Sequence, residues 1–214
     1  MNDNLKKIVF LSFAVIVAVF AISGGTYAYF TASSSAQENI IKGNNYQLNA
    51  DLNISAIRKG NLIPVADSLI MTSLNGNYPC EDNRGYSLCS LYKVSLKNNG
   101  ADISLNAYLL TNSGTTFTSN YLKYQLLTYK NNTYSSASDV NTLNITSGSK
   151  NYLKLSNNNI SFPLNQGNSI EYYLVIWLSD PGNNNQLSDV KKVYDGSLVF
   201  ESLNGGTVTG DFTS

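Results

Sequence analysis

An all-β fold, an antiparallel β-sandwich of jelly-roll-like character with at most one short helix, is what this sequence predicts, on three observations. Tyr, Asn, Ser, Thr and Leu dominate the composition while the helix formers Ala and Glu are sparse, and the β-branched and aromatic residues that are present favour strands. Apolar and polar residues alternate with a period of two along several segments, the pattern of a strand with one face buried and one face wet. Between those segments lie clusters of Asn, Gly and Ser, the residues of tight turns. Short strands punctuated in this way argue for a sandwich over a parallel α/β fold.

The first segment stands apart. Residues 1–30 read MNDNLKKIVFLSFAVIVAVFAISGGTYAYF, a charged start, an unbroken apolar run and a small-residue exit, which is the layout of an export signal. Lys6 and Lys7 stay on the cytoplasmic side because carrying ammonium charge through hydrocarbon is costly. The 16 residues from Ile8 to Ser23 make a helix of roughly 24 Å, short of the roughly 30 Å hydrocarbon core. A cleaved signal therefore fits better than a lasting anchor, and the membrane is met only through this segment. Gly24 and Gly25 loosen the helix ahead of Thr26 and Tyr27, and the small side chain of Ala28 suits the position before a signal-peptidase cut. Cleavage is expected between Ala28 and Tyr29, just ahead of Phe30. Residues 29–45 then form a flexible N-terminal segment and residues 46–214 the folded domain.

Within that domain the strands follow in order. Tyr46, Leu48, Ala50, Leu52 and Ile54 alternate with Gln47, Asn49, Asp51 and Asn53. Tyr92, Val94 and Leu96 alternate with Lys93, Ser95 and Lys97; Asn98-Asn99-Gly100 supplies a turn; Ile103, Leu105, Ala107 and Leu109 resume. This is the signature of a hairpin. Tyr121–Tyr129, Ile170–Leu178 and Ser197–Leu203 are further strands, the last closing the domain. Val65–Met71, Thr142–Ile145, Tyr152–Leu155 and Ile160–Leu164 give weaker strand patterns. Leu187, Val190, Val193 and Tyr194 line one side of a short helix over Gln186–Tyr194, ended by Asp195-Gly196.

The motif GGTYAYFTA at this distance from the start closely resembles the junction of the TasA/camelysin family, exported proteins of Gram-positive bacteria processed by a dedicated signal peptidase of the SipW type. Leu62-Ile63-Pro64 and the run from Tyr92 to Gly100 resemble the family's Pro-containing segment ahead of a strand and its Asn-Asn-Gly turn, and the runs Tyr172–Ser179 and Tyr194–Phe200 resemble its last two strands, so the likeness spans most of the chain. The stretch from Leu74 to Ser90, which holds both cysteines, departs from the family as an insertion. The resemblance implies a SipW-type peptidase as processing partner. It also implies self-association into extracellular matrix fibres through the mature N-terminus, and a location in the matrix or at the cell surface. Some family members are described as metalloproteases, an activity that does not transfer to this sequence.

Charge implies no strong electrostatic partner. Losing residues 1–28 removes Lys6, Lys7 and Asp3 and takes the 14 basic and 14 acidic side chains to 12 and 13. A nucleic-acid binder needs a basic face and a membrane-surface binder a basic cluster, and neither follows Lys7.

Catalytic chemistry is not expected. The chain has no His, so it has no Ser-His-Asp or Cys-His arrangement and no His-Glu-x-x-His zinc helix. Cys80 and Cys89 are the only cysteines. Oxidation to one disulfide is the simplest outcome in an exported protein, with two free thiols the alternative; two thiolates alone do not close a zinc site. No metal or cofactor is expected. Glu81-Asp82, and Asp180 with Asp189, are formal carboxylate pairs of the glycosidase kind, but scattered surface acids are far commoner. Asp180–Asn185 lacks the spaced acids of a calcium loop and reads as a turn. Asn53, Asn131, Asn144 and Asn159 begin Asn-x-Ser/Thr sequons that reflect Asn richness.

Tyr46, Tyr92, Tyr124 and Tyr172 fall on core positions. Trp177 lies out of phase with Ile176 and Leu178, facing either a partner subunit or a second core. A structural subunit that assembles by strand addition is the leading reading. A monomeric adhesin or carbohydrate-binding sandwich, using a face instead of an edge, is the alternative.

Overall fold

The computed structural model describes residues 48–155, 161–180, 182 and 187–214. Outside them lie the expected signal, its junction (Gly24, Gly25, Thr26, Tyr27, Ala28, Tyr29, Phe30), the 29–45 segment, Tyr46, Asn159, Ile160 and Gln186.

The alternating segments become strands: β1 (Ala50–Arg58), β2 (Ser90–Asn98), β3 (Ile103–Thr111), β4 (Leu122–Lys130), β5 (Thr133–Ser136), β6 (Asn141–Thr142), β7 (Lys150–Tyr152), β8 (Ser161–Leu164), β9 (Ser169–Leu178), β10 (Asp195–Ser202) and β11 (Thr207–Thr213), with one helix, α1 (Asp67–Leu74). Every pairing between them is antiparallel. Sheet I runs β1-β2-β9-β4-β5 with β6 also on β4, and sheet II runs β11-β10-β3-β7 with β8 also on β3. The fold is an all-β antiparallel sandwich. Among the described residues no helix is long and apolar enough to cross a membrane.

The period-two faces meet between the sheets. Tyr92, Val94 and Leu96 of β2 and Leu174, Ile176 and Leu178 of β9 pack with Leu105, Ala107 and Leu109 of β3 and Leu198 and Phe200 of β10. Tyr124 joins this core, and Tyr172 packs against it half-buried. Each fully buried Leu or Phe there contributes about 1.5–3 kcal/mol relative to exposure.

The opposite face of sheet I carries a second core. Leu91, Leu127, Tyr173, Val175 and Trp177 lie beneath Val65, Ile70 and Leu74, together with Cys80 and Cys89. Trp177 thus fills a second core, and its Nε1 donates to Asp67 Oδ1 at 2.8 Å. The stretch Leu74–Ser90 completes the cover that Val65 and α1 begin, and within it Cys80 and Cys89 are joined as a disulfide with both residues 0 % exposed.

Four expectations are corrected. The strands around Asn98-Asn99-Gly100 are not a hairpin, because β2 belongs to sheet I and β3 to sheet II. Asn98 stays with the β9 side: its N–H donates to Asn168 O at 3.0 Å, and its carbonyl accepts from Gly167 N–H at 2.8 Å. Its side chain donates to Ala101 O (2.7 Å) and Leu164 O (3.0 Å), turning the chain across the sandwich.

Val65–Met71 is not a strand, since Asp67–Leu74 is helical. Ile70 and Leu74, four apart, share the buried face, and Asp67 sits where the helix dipole favours an acid. The helix expected over Gln186–Tyr194 is reduced to a 3-10 turn at Leu187–Asp189, where Asp189 is pulled inward by Thr118 and Ser119. Finally, Ser197–Leu203 does not close the domain, because β11 follows and pairs with β10.

Candidate assembly edge

A sandwich must deal with the unpaired backbone N–H and C=O groups at its sheet margins, since these template pairing with other strands. Four of the strands at margins here are short: β5 and β8 have 4 residues each, β6 has 2 and β7 has 3. β5 and β7 are also blocked. Asn75, at the C-terminal cap of α1, presents its carboxamide to Tyr134 of β5: Oδ1 accepts from Tyr134 N–H at 2.7 Å and Nδ2 donates to Tyr134 O at 3.1 Å. One amide side chain does there what a neighbouring strand would do. On β7, Tyr152 O accepts the Tyr124 hydroxyl at 3.0 Å, and burial pushes that phenol up to about 12. β8 includes Pro163, which brings no N–H to a ladder.

The margins at β1 and β11 are long, 9 and 7 residues, or about 30 and 23 Å at roughly 3.3 Å per residue. Their hydrogen-bond phase follows from single bonds at their ends. Asn99 N–H donates to Asn49 O at 2.8 Å, which makes 49 and 99 a hydrogen-bonded pair in the β1–β2 register. Antiparallel ladders alternate, so Asp51, Asn53 and Ser55 exchange bonds with β2. Leu52, Ile54 and Ala56 therefore aim their backbone groups away from the sheet, and no partner for them exists among the described residues.

The same reasoning orients β11. Ser202 N–H donates to Gly206 O and Ser214 N–H to Tyr194 O, so Thr207, Thr209, Asp211 and Thr213 turn their backbone groups outward. Among the described residues, Thr213 O alone of these groups is taken, by the Tyr92 hydroxyl at 2.6 Å. Burial raises the Tyr92 phenol well above its ordinary value and keeps it a donor.

The two open margins lie on one side of the sandwich. Gly210 of β11 sits against β1 so closely that a Cβ there would come 2.7 Å from Ile54 Cδ1 and 3.2 Å from Leu52 Cδ2. Lys59 Nζ donates to Thr213 Oγ1 at 2.9 Å and ties the far ends together. A bulge between Ala56 and Arg58 leaves Ile57 46 % exposed, and Arg58 then pairs with Glu81 at 2.8 Å. The disulfide loop carrying Cys80 and Cys89 is thereby held at the end of β1.

Each of the acidic residues weighed from sequence has a partner close by. Glu81 is engaged by Arg58, and Asp82 Oδ1 accepts from Arg84 N–H and Tyr86 N–H, each at 2.8 Å. Asp180 Oδ1 accepts from Gly182 N–H at 2.8 Å. Asp189 is 0 % exposed and accepts from the Thr118 N–H and hydroxyl, each at 3.0 Å, and from the Ser119 hydroxyl. Burial alone would raise its pKa, but the bonds from Ser119 and Thr118 outweigh burial and hold it below the ordinary aspartate value. Among the described residues no three metal-ligating side chains converge.

The blocking role of Asn75 and the close fit of Gly210 carry no signature in the sequence. β11 does: Val208 and Phe212 turn inward against outward Thr207, Thr209 and Asp211.

No family model matches the sequence, and comparison with curated proteins finds no match. Among solved structures, a FixG-related protein from Vibrio parahaemolyticus is 8 % identical at a TM-score of 0.36, over 77 % of this chain and 94 % of that one. The cupredoxin domain of AmoB from Nitrosocaldus yellowstonii is 12 % identical at 0.35, over 78 % and 88 %. The pilus backbone RrgB from Streptococcus pneumoniae is 14 % identical at 0.25, over 72 % and 53 %. Likenesses at this level carry no statement about function.

Proposed function

We propose that this chain is an exported structural subunit, not an enzyme, whose copies join by strand addition: residues 29–45 of one copy pair with the open β1 margin of another. The observation that carries this reading is the contrast between margins. Asn75 takes both backbone groups of Tyr134 on the short β5 edge, whereas Leu52, Ile54 and Ala56 on the longer β1 edge have no partner for theirs among the described residues. Added strands gain main-chain hydrogen bonds along such an edge, and side-chain pockets select the register.

The donor is suited by sequence. Residues 29–42 read YFTASSSAQENIIK, a segment with Tyr29 and Phe30 near one end, Ile40 and Ile41 near the other and no proline, and the chain leads from it into β1. Export through a signal ending at Ala28, with processing by a SipW-type peptidase, would free that segment outside the cell. A matrix or cell-surface location follows from the same reading.

The test compares residues 29–214 with residues 43–214 by sedimentation over a range of concentrations. The longer protein is expected to assemble and the shorter to remain monomeric. Two monomers at every concentration would end the proposal.

A second reading, a monomeric adhesin, draws on a groove of about 340 Å³ between α1 and the disulfide loop, where Leu69, Tyr78 and Leu88 contribute apolar walls. Glycan-array binding by a monomer that does not assemble would favour it.

A further inference from the structure

Three tyrosines gather on the outward face of sheet I. Tyr129 and Tyr134 are direct partners across the β4–β5 hairpin, with ring centroids 4.6 Å apart at 43°. Tyr173 of β9 stands 5.6 Å from Tyr129 and 5.2 Å from Tyr134. Exposure is graded: Tyr129 is 43 % exposed, Tyr134 8 % and Tyr173 6 %. Ring packing alone would be served by phenylalanine.

The phenol of Tyr173 has a base beside it. Its hydroxyl donates to Glu171 Oε1 at 2.9 Å, and Glu171 Oε2 pairs with Lys93 Nζ at 2.7 Å. The hydrogen bond from Lys93 leads in holding the Glu171 carboxyl below its ordinary value, so it is ionised at neutral pH. Burial, with the Glu171 bond adding to it, pushes the Tyr173 phenol up to about 12, so the ring is a neutral phenol there. A phenol that loses one electron becomes a very strong acid and must shed its proton at once. Glu171 is placed to take it.

We propose that Tyr129, Tyr134 and Tyr173 form an oxidation site at which a peroxide-driven one-electron oxidant, of the haem-peroxidase class, closes a carbon–carbon bond between Tyr129 and Tyr134. Exposed Tyr129 meets the oxidant, and the ring contacts let the electron vacancy pass among the three. Each coupling ring gives up one electron and its phenolic proton, the proton passing to solvent, and the two electrons and two protons are consumed in reducing the peroxide. The two radicals join at carbons ortho to their hydroxyls, and the two displaced ring hydrogens return to the oxygens. The protein loses two hydrogen atoms, and one hydrogen peroxide is reduced to two waters. The product staples β4 to β5 at the margin that Asn75 closes, and it stands apart from strand addition at β1.

The test treats the dilute purified chain with a haem peroxidase and hydrogen peroxide. The expected product is a monomer lighter by two hydrogens with dityrosine fluorescence. Trypsin cuts after Lys123 and Lys130, so the peptide 124–130 is expected to emerge joined to 131–150. Tyr129→Phe and, separately, Tyr134→Phe are expected to abolish that joined peptide. Glu171→Gln keeps an acceptor for the Tyr173 hydroxyl but removes the base, and is expected to slow coupling by roughly tenfold or more. A covalent dimer through the more exposed Tyr78 or Tyr86 (72 % and 55 % exposed) with no internal link overturns the proposal. So does an internal link that survives Tyr129→Phe.

Discussion

Replacing Asn75 with Ala removes both bonds that close the β5 margin, the 2.7 Å bond from Tyr134 N–H and the 3.1 Å bond to Tyr134 O. Each such bond is worth about 0.5–1.5 kcal/mol net, so the pair sets a range of about 1–3 kcal/mol. Asn75 itself is exposed and water can reach the vacated groups, which places the loss toward the lower end, about 1–1.5 kcal/mol. Asn75→Asp separates the two bonds. It keeps the acceptor for Tyr134 N–H but sets a second acceptor against Tyr134 O, so near neutral pH it loses one bond and adds a repulsion. Below its own pKa, ordinarily near 4, the protonated carboxyl can donate to Tyr134 O again, and the deficit should narrow. Urea unfolding reads both effects as shifts in midpoint at constant slope. Amide exchange at Tyr134 should quicken in Asn75→Ala. Unchanged midpoints together with unchanged exchange at Tyr134 would refute the blocking role.

Other outcomes follow from single contacts. Tyr92→Phe removes the hydroxyl that bridges the sheets to Thr213 O and is expected to cost about 1 kcal/mol in urea unfolding; no loss would show that water replaces the bond freely. Replacing Cys80 and Cys89 together with Ser opens a loop whose ends are 9 positions apart, for an expected loss of about 2–3 kcal/mol in the chain-entropy model. Because both cysteines are buried, reductant should act on the native chain only slowly, which thiol trapping measures. Asp189, with its pKa depressed in the fold, contributes stability that is present above the unfolded value near 4 and is lost as pH falls through the folded value. Asp189→Asn should be less stable near pH 7 and should lose less on acidification; parallel pH profiles for the two proteins would contradict this.

Much of the sandwich was legible because burial on one face imposes a period of two, and Leu52, Val94, Leu105, Leu174 and Leu198 all announce it. What alternation does not carry is sheet membership. The Asn98-Asn99-Gly100 turn reads as a hairpin because both flanking strands bury one face, yet the same pattern serves an arch between sheets; the long-range bonds of Asn98 to Leu164, Gly167 and Asn168 decide it. Val65–Met71 misleads for a related reason: a short apolar run suits a strand or a helix equally, and only its position over Trp177 selects the helix. The second core was half visible, since Trp177 falls out of phase with its neighbours. At the candidate edge the sequence marks β1 as a strand, but its being marginal, and the blocking of β5 by Asn75, depend on strand order, which no local pattern encodes.

Amide hydrogen exchange along β1, before and after assembly of residues 29–214, is the most direct measurement of strand addition. Leu52, Ile54 and Ala56 aim their N–H groups at the open side and should gain protection on assembly, whereas Asn53 and Ser55, already bonded to β2, should change little. Assembly that leaves Leu52, Ile54 and Ala56 exchanging as freely as in the monomer would contradict strand addition at β1.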